Sequence, residues 1–167
     1  MTEENDVSQQ RRVRFFAYAP LVLWIAVILV LGSGPGASAQ TSRFIKPLID
    51  FFFPDASPDT FLLVHSFIRK TAHFVEYAIL AILAGRALLA SPFRKLHRHW
   101  IIVSLASVVA VAAADEFNQS FQSARTGSGI DVLLDLSGGL AGVVIFALFL
   151  KKRLSDRRDR QPRPSNP

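Results

Sequence analysis

The stretch WIIVSLASVVAVAAADEFNQ, residues 100–119, decides the fold. From Trp100 to Ala114 only Ser104 and Ser107 interrupt an apolar run, and it ends abruptly in Asp115, Glu116 and Gln119. A helix on the surface of a soluble bundle carries a polar stripe, and this one has none. Hydrocarbon on all sides is the environment such a helix fits. Three other stretches agree. Residues 130–150 hold only Asp131 and Asp135 as charges, both in the first two turns. Residues 71–90 are apolar apart from His73, Glu76 and Arg86, and residues 15–31 carry no charge. About 20 helical residues rise roughly 30 Å, the thickness of a hydrocarbon core. The pattern predicts an all-α, four-helix transmembrane bundle with spans at about 15–31, 70–90, 100–119 and 130–150. Residues 1–14 form an N-terminal tail, and 151–167 a basic, disordered one.

Composition narrows the class further. The chain has 167 residues, half of them apolar, with 19 Lys plus Arg, 13 Asp plus Glu and no Cys. Without cysteine there is no disulfide framework, zinc ribbon or thiol nucleophile. The net charge of +6 invites a nucleic-acid reading. Placement of the basic residues argues against it. They cluster at Arg11, Arg12 and Arg14, at Arg94, Lys95 and Arg98, and from Lys151 to Arg163. With four spans these segments share one side, which the positive-inside rule makes cytoplasmic. Both termini are then cytoplasmic, and the segments 32–69 and 118–129 face outward. No nucleic-acid motif accompanies the charge. The basic tail reads as a stop-transfer anchor beside anionic lipid.

Arg11, Arg12 and Arg14 before the first run and Ala37-Ser38-Ala39 after it resemble a signal peptide. The apolar core is longer than such a segment needs, and the A-x-A site lies well beyond it, so a retained helix is expected. The outer segment 32–68 is too long for a plain connector. Arg43 to Phe53 and Thr60 to Ile68 read as two short interfacial helices around the turn-like stretch 54–59. They form either a lid packed on the helix ends or a lid over a site.

Topology brings the intramembrane polar residues to one depth. Lys70, His73 and Glu76 sit in the outer turns of the second span, and Asp115, Glu116 and Gln119 at the outer end of the third. Asp131 and Asp135 open the fourth, and Arg125 lies in the connector before it. Lys70, His73 and Tyr77 share a helix face, with Glu76 beside them. Asp131, Asp135, Gly138 and Gly142 form one stripe, with two carboxylates above a small-residue surface suited to close helix approach. A charge near the bilayer centre costs about 2.5–3.5 kcal/mol on insertion scales, so these groups must pair or line a wet cavity. The cluster Arg69, Lys70, His73, Glu76, Tyr77, Asp115, Glu116, Gln119, Arg125, Asp131 and Asp135 is the candidate site. An interhelical network that only holds the bundle together is the structural alternative.

At these residues the sequence resembles the VanZ-like membrane proteins. Residues 69–80, RKTAHFVEYAIL, are similar to the family's R-K-x-x-H-x-x-E-Y motif, and residues 115–132 to its D-E-x-x-Q-x-F-x-x-x-R-x-x-x-x-x-D-V signature. Gly138 and Gly142 match the small residues that follow. Asp135 departs from the family, where Asn is frequent. The resemblance implies a small bacterial integral membrane protein. The family's namesake is linked to low-level resistance to teicoplanin, a lipoglycopeptide acting at the outer membrane surface.

Three chemistries suit the cluster. Arg69, Lys70 and Arg125 can hold the anionic headgroup of an amphiphile, a lipid-linked molecule or a glycopeptide, oriented by Glu76, Asp115 and Asp131. His73 can serve as general acid or base, with Glu76 or Asp115 orienting it, in an intramembrane enzyme. Carboxylates and His also suit a proton-linked carrier, although the inner halves of the spans lack polar groups. His73 with Asp115 and Glu116 permits a metal, but H-x-x-E is a weak metal signal, and neither metal nor cofactor is assigned. Membrane lipids are the expected partners, and a homo-oligomer is compatible with the pattern.

Overall fold

A computed structural model describes residues 3–33, 37–54, 57–120 and 129–160. The helices are α1 (Glu3–Ser33), α2 (Ala37–Phe52), α3 (Pro58–Leu89), α4 (Arg94–Arg98), α5 (Trp100–Ser120) and α6 (Gly129–Asp159). No strand occurs among the described residues. Four helices, α1, α3, α5 and α6, are long and apolar enough to cross a membrane, as predicted. The protein is a multi-pass membrane protein, and its spans alternate in direction around a shared core of Ile28, Tyr77, Leu80, Val108, Ala112 and Val143. Outside that core Leu23, Val30, Ile102, Val144, Leu148 and Phe149 are exposed, the apolar exterior that lipid solvates.

Three boundaries differ from the expected ones. Thr60 to Ile68 is not a separate interfacial helix but the first turns of α3. Ser57 caps that helix by accepting the Thr60 N–H at 3.2 Å, and Pro58 and Asp59 stand in its first turn. No Gly or Pro follows until Gly85, so nothing stops the helix between Ile68 and Thr71. Its 32 residues run about 48 Å, more than the roughly 30 Å of hydrocarbon, so the first turns project beyond the span. At the chain's ends α1 begins at Glu3 and α6 continues to Asp159, where tails were expected. Glu, Gln, Lys and Arg propagate a helix well, and Arg157 and Arg158 suit the negative end of the α6 dipole. Residues 161–167 lie outside the described residues.

The most extensive packing joins α3 to α6. A Cβ on Gly138 would collide with the Phe74 carbonyl oxygen, and one on Gly142 with that of Ala78. Backbone therefore touches backbone along the predicted small-residue stripe. On an adjacent face of α6, a Cβ on Gly139 would lie 2.8 Å from Val108 Cγ1, which brings α5 close. The first span is tied to α3 at two levels. The Trp24 indole N–H donates to the Glu76 carbonyl at 3.0 Å, and the Arg86 guanidinium donates to the Phe16 carbonyl at 3.2 Å. These ties make α1 part of the bundle.

The short helix before α3, α2, packs through Ile45 and Ile49, both buried, and leaves Leu48, Phe51 and Phe52 exposed. Lys46 and Asp50 form an i,i+4 ion pair at 2.7 Å on its polar side. In the turn leading to α5, His97 Nε2 lies 2.6 Å from the Ser91 carbonyl oxygen and His99 Nδ1 3.0 Å from that of Lys95. These histidines tie down the turn.

Candidate functional site

One end of the bundle is built from the first half of α3, the last turns of α5 and the first turns of α6. Side chains in a helix lean toward its N-terminus, so polar groups on α3 and α6 aim at this end. Arg69, Lys70 and His73 from α3, Glu116 from α5, and Asp131, Leu134 and Asp135 from α6 line one narrow cleft whose interior has room for about one water molecule. Six of the candidate residues thus line the same cleft. Leu134 joins the wall because it directly precedes Asp135.

At the floor, Asp135 is 1% exposed, and the glycine stripe below it draws its helix against α3. His73 Nδ1 lies 3.6 Å from Asp135 Oδ1, just beyond hydrogen-bond distance. Neither Asp135 oxygen has a hydrogen-bond partner, nor has His73 Nδ1. A carboxylate buried without partners is costly in its charged form, and the nearest compensating group is this imidazole. The imidazole stacks on the Tyr77 ring, with centroids 6.4 Å apart and planes 16° apart, so its orientation is set from below. Asp135, rather than Glu76 or Asp115, therefore stands closest to His73.

Tyr77 and Asp115 do not line the cleft. Both are buried in the core beneath it, and the Tyr77 hydroxyl makes no hydrogen bond. Ser104 lies deeper still, fully buried, with its hydroxyl unpartnered. Its spacing with Val108, Ala112 and Asp115 marks the buried face of α5, a signal in the sequence that the polar-cluster reasoning passed over. Ser91, Ser104, Asp115 and Asp135 are the buried polar residues among those described.

Glu76 is one helical turn from His73 but faces another way. It lies in an apolar groove of about 800 Å³ with Trp24, Phe67, Thr71, Ala72 and Val75, on the lipid side of the contact between α1 and α3. Thr71 and Ala72 make the dip, and Trp24 makes a wall held by its hydrogen bond to the Glu76 carbonyl. Among the described residues α2 contributes to neither the groove nor the cleft. No three His, Asp or Glu side chains among them converge closely enough to hold a metal ion, so His73, Asp115 and Glu116 are not such a set. The backbone of Gln119 belongs to α5, while its side chain and all of Arg125 lie outside the described residues.

A protein-family model described as VanZ/LLP1 matches residues 15–150. That range contains every candidate residue. No curated protein and no solved structure matches the chain.

Proposed function

The chain belongs to the VanZ/LLP1 family, and on that premise we propose that it binds an amphiphilic or lipid-linked envelope ligand at the outer face of a bacterial cytoplasmic membrane. The observation that carries this reading is the cleft itself. Buried Asp135, whose oxygens accept no hydrogen bond, forms its floor with His73 3.6 Å away, and Arg69 and Lys70 lie beside them near one end of the spans. Intramembrane ionisable groups are expensive to bury and mark ligand sites by default. The apolar groove on the lipid side of α3 supports an amphiphile, since a polar head and a hydrocarbon chain each find a surface on the same helix. The basic residues in the first half of α1, around α4 and at the end of α6 lie at the opposite end, which supports cytoplasmic termini and an outward-facing cleft.

The cellular readout we propose is tolerance to lipoglycopeptides such as teicoplanin. Strains producing wild-type protein are compared with strains producing Asp135→Asn or His73→Ala, at matched membrane levels. Loss of tolerance and of co-purifying amphiphile in both variants is the expected result. Wild-type tolerance and ligand content in both would refute the reading.

The His73–Asp135 separation favours a second reading, an intramembrane acid/base hydrolase or transferase on a lipid-linked substrate. A carboxylate within reach of an imidazole orients it as general base, with Glu76 and Asp115 as the further candidates. Turnover of a lipid-linked substrate by wild-type protein, abolished in His73→Ala, separates catalysis from binding.

A further inference from the structure

The cleft is electrically asymmetric. Arg69 and Lys70 stand on α3 one turn before His73, toward the helix start, and among the described residues neither is held in an ion pair. The other charged lining groups are acidic, Asp131, Asp135 and Glu116, with His73 beside Asp135. Arg69 lies about 20 residues before Leu89 along α3, about 30 Å at 1.5 Å per residue, so the two cations stand at the level of lipid phosphates when Leu89 marks the other interface. His73 lies one turn deeper, and Asp135 stands beside it. The interior admits a group no larger than a water molecule, and Asp135 presents two buried oxygens that accept no hydrogen bond.

We propose that the cleft recognises a zwitterionic headgroup in which a phosphate is linked by a short arm to a primary ammonium. The inference rests on the ligand-binding reading and names the ligand's chemistry. The phosphate sits against Arg69 and Lys70, and the ammonium reaches the floor and donates to Asp135 and Asp131. An –NH3+ group is water-sized, carries three donors and is complementary in charge to buried acceptors. A trimethylammonium group has no donors and is too large for the floor. An anionic headgroup without an amine satisfies the cations but gives the Asp135 oxygens no hydrogen-bond donor.

The full chain in detergent is titrated with short-chain phosphatidylethanolamine, phosphatidylcholine and phosphatidylglycerol, with bound lipid counted by native mass spectrometry. A preference for phosphatidylethanolamine over phosphatidylcholine of about tenfold or more is expected, the scale of one charge-assisted hydrogen bond. Asp135→Asn abolishes that preference, while the pair Arg69→Gln and Lys70→Gln weakens phosphatidylethanolamine and phosphatidylglycerol alike. Asp131→Asn, on the half-exposed part of the cleft, tests the same point if Asp135→Asn does not fold. Free phosphoethanolamine identifies the source. If it binds where the lipids do not, the headgroup chemistry stands and the ligand is soluble. Equal binding of the ethanolamine and choline lipids, or a preference that survives both acidic substitutions, overturns the inference. Phosphatidylglycerol binding without an ammonium preference overturns it alone, whereas absence of binding by every lipid and by free phosphoethanolamine overturns the broader reading with it.

Discussion

Gly142→Ala adds a single methyl group to α6, and two opposing effects decide its sign. Alanine is the better helix former by about 1 kcal/mol, a gain for any helical glycine. Against it, the new Cβ meets the Ala78 carbonyl oxygen, a backbone atom fixed inside α3. No rotamer change relieves that collision, and α3 and α6 must separate along their seam. Overpacking against a well-packed interior costs about 1–3 kcal/mol, and a rigid backbone neighbour places this case at the upper end. The net expectation is a loss of about 1–2 kcal/mol. For a chain of this size that lowers the melting temperature by several degrees, at about 2–4 °C per kcal/mol. Gly138→Ala, facing the Phe74 carbonyl, behaves alike. Gly139→Ala is the comparison, because its Cβ would meet the Val108 side chain, Cγ1 at 2.8 Å and Cγ2 at 3.0 Å, rather than a backbone carbonyl. That contact is less severe than the one on a carbonyl oxygen, so a smaller loss is expected. Thermal unfolding in detergent, followed by circular dichroism, separates the three. If Gly142→Ala melts at or above the wild-type temperature, or Gly139→Ala proves the most damaging, backbone contact is not what sets the α3–α6 distance.

Other perturbations reach the remaining features. Trp24→Phe keeps an aromatic wall but removes the N–H donated to the Glu76 carbonyl, and a loss of about 0.5–1.5 kcal/mol is expected in the same melts. An unchanged melting temperature would mean the bond does not hold α1 in place. Asp135→Asn is expected to leave stability unchanged or raised, since a neutral amide is cheaper to bury than an ion, while ligand binding falls. A strongly destabilised Asp135→Asn would instead make the carboxylate part of the scaffold. Because the chain has no cysteine, single introduced thiols report topology without background. Ser57→Cys, just before α3, is expected to react with an impermeant maleimide on intact cells, and Ser155→Cys, on the exposed end of α6, only after permeabilisation.

Hydropathy located the four spans because lipid imposes a composition on a helix that few other environments require. It could not place their ends. Beyond the apolar runs, polar helix formers such as Glu3 and Glu4 or Lys151 to Arg153 continue the hydrogen-bond ladder with no Gly or Pro to stop it. Spacing along one helix foresaw the glycine stripe, since Gly138 and Gly142 face the same way whatever lies opposite. Six of the candidates line one cleft. What spacing could not supply is which neighbour occupies each side of α3. Glu76 and His73 are three residues apart, yet α1 with Trp24 stands beside one and Asp135 of α6 beside the other. That division depends on packing between distant segments, which a local pattern does not encode.

The cleft's two principal walls, α3 and α6, are separated along the chain by all of α5. Ribosomal synthesis delivers them in that order, so the cleft does not exist while α3 is being inserted. His73 and Tyr77 enter the bilayer before the helix that will carry Asp135 has been made. Insertion precedes assembly in membrane bundles. Throughout that interval α3 shows its imidazole and phenol to lipid or to the insertion machinery. The α6 span therefore completes the cleft as it packs against α3. A chain truncated after α5 would have three spans and no cleft, with the polar face of α3 left uncovered by α6.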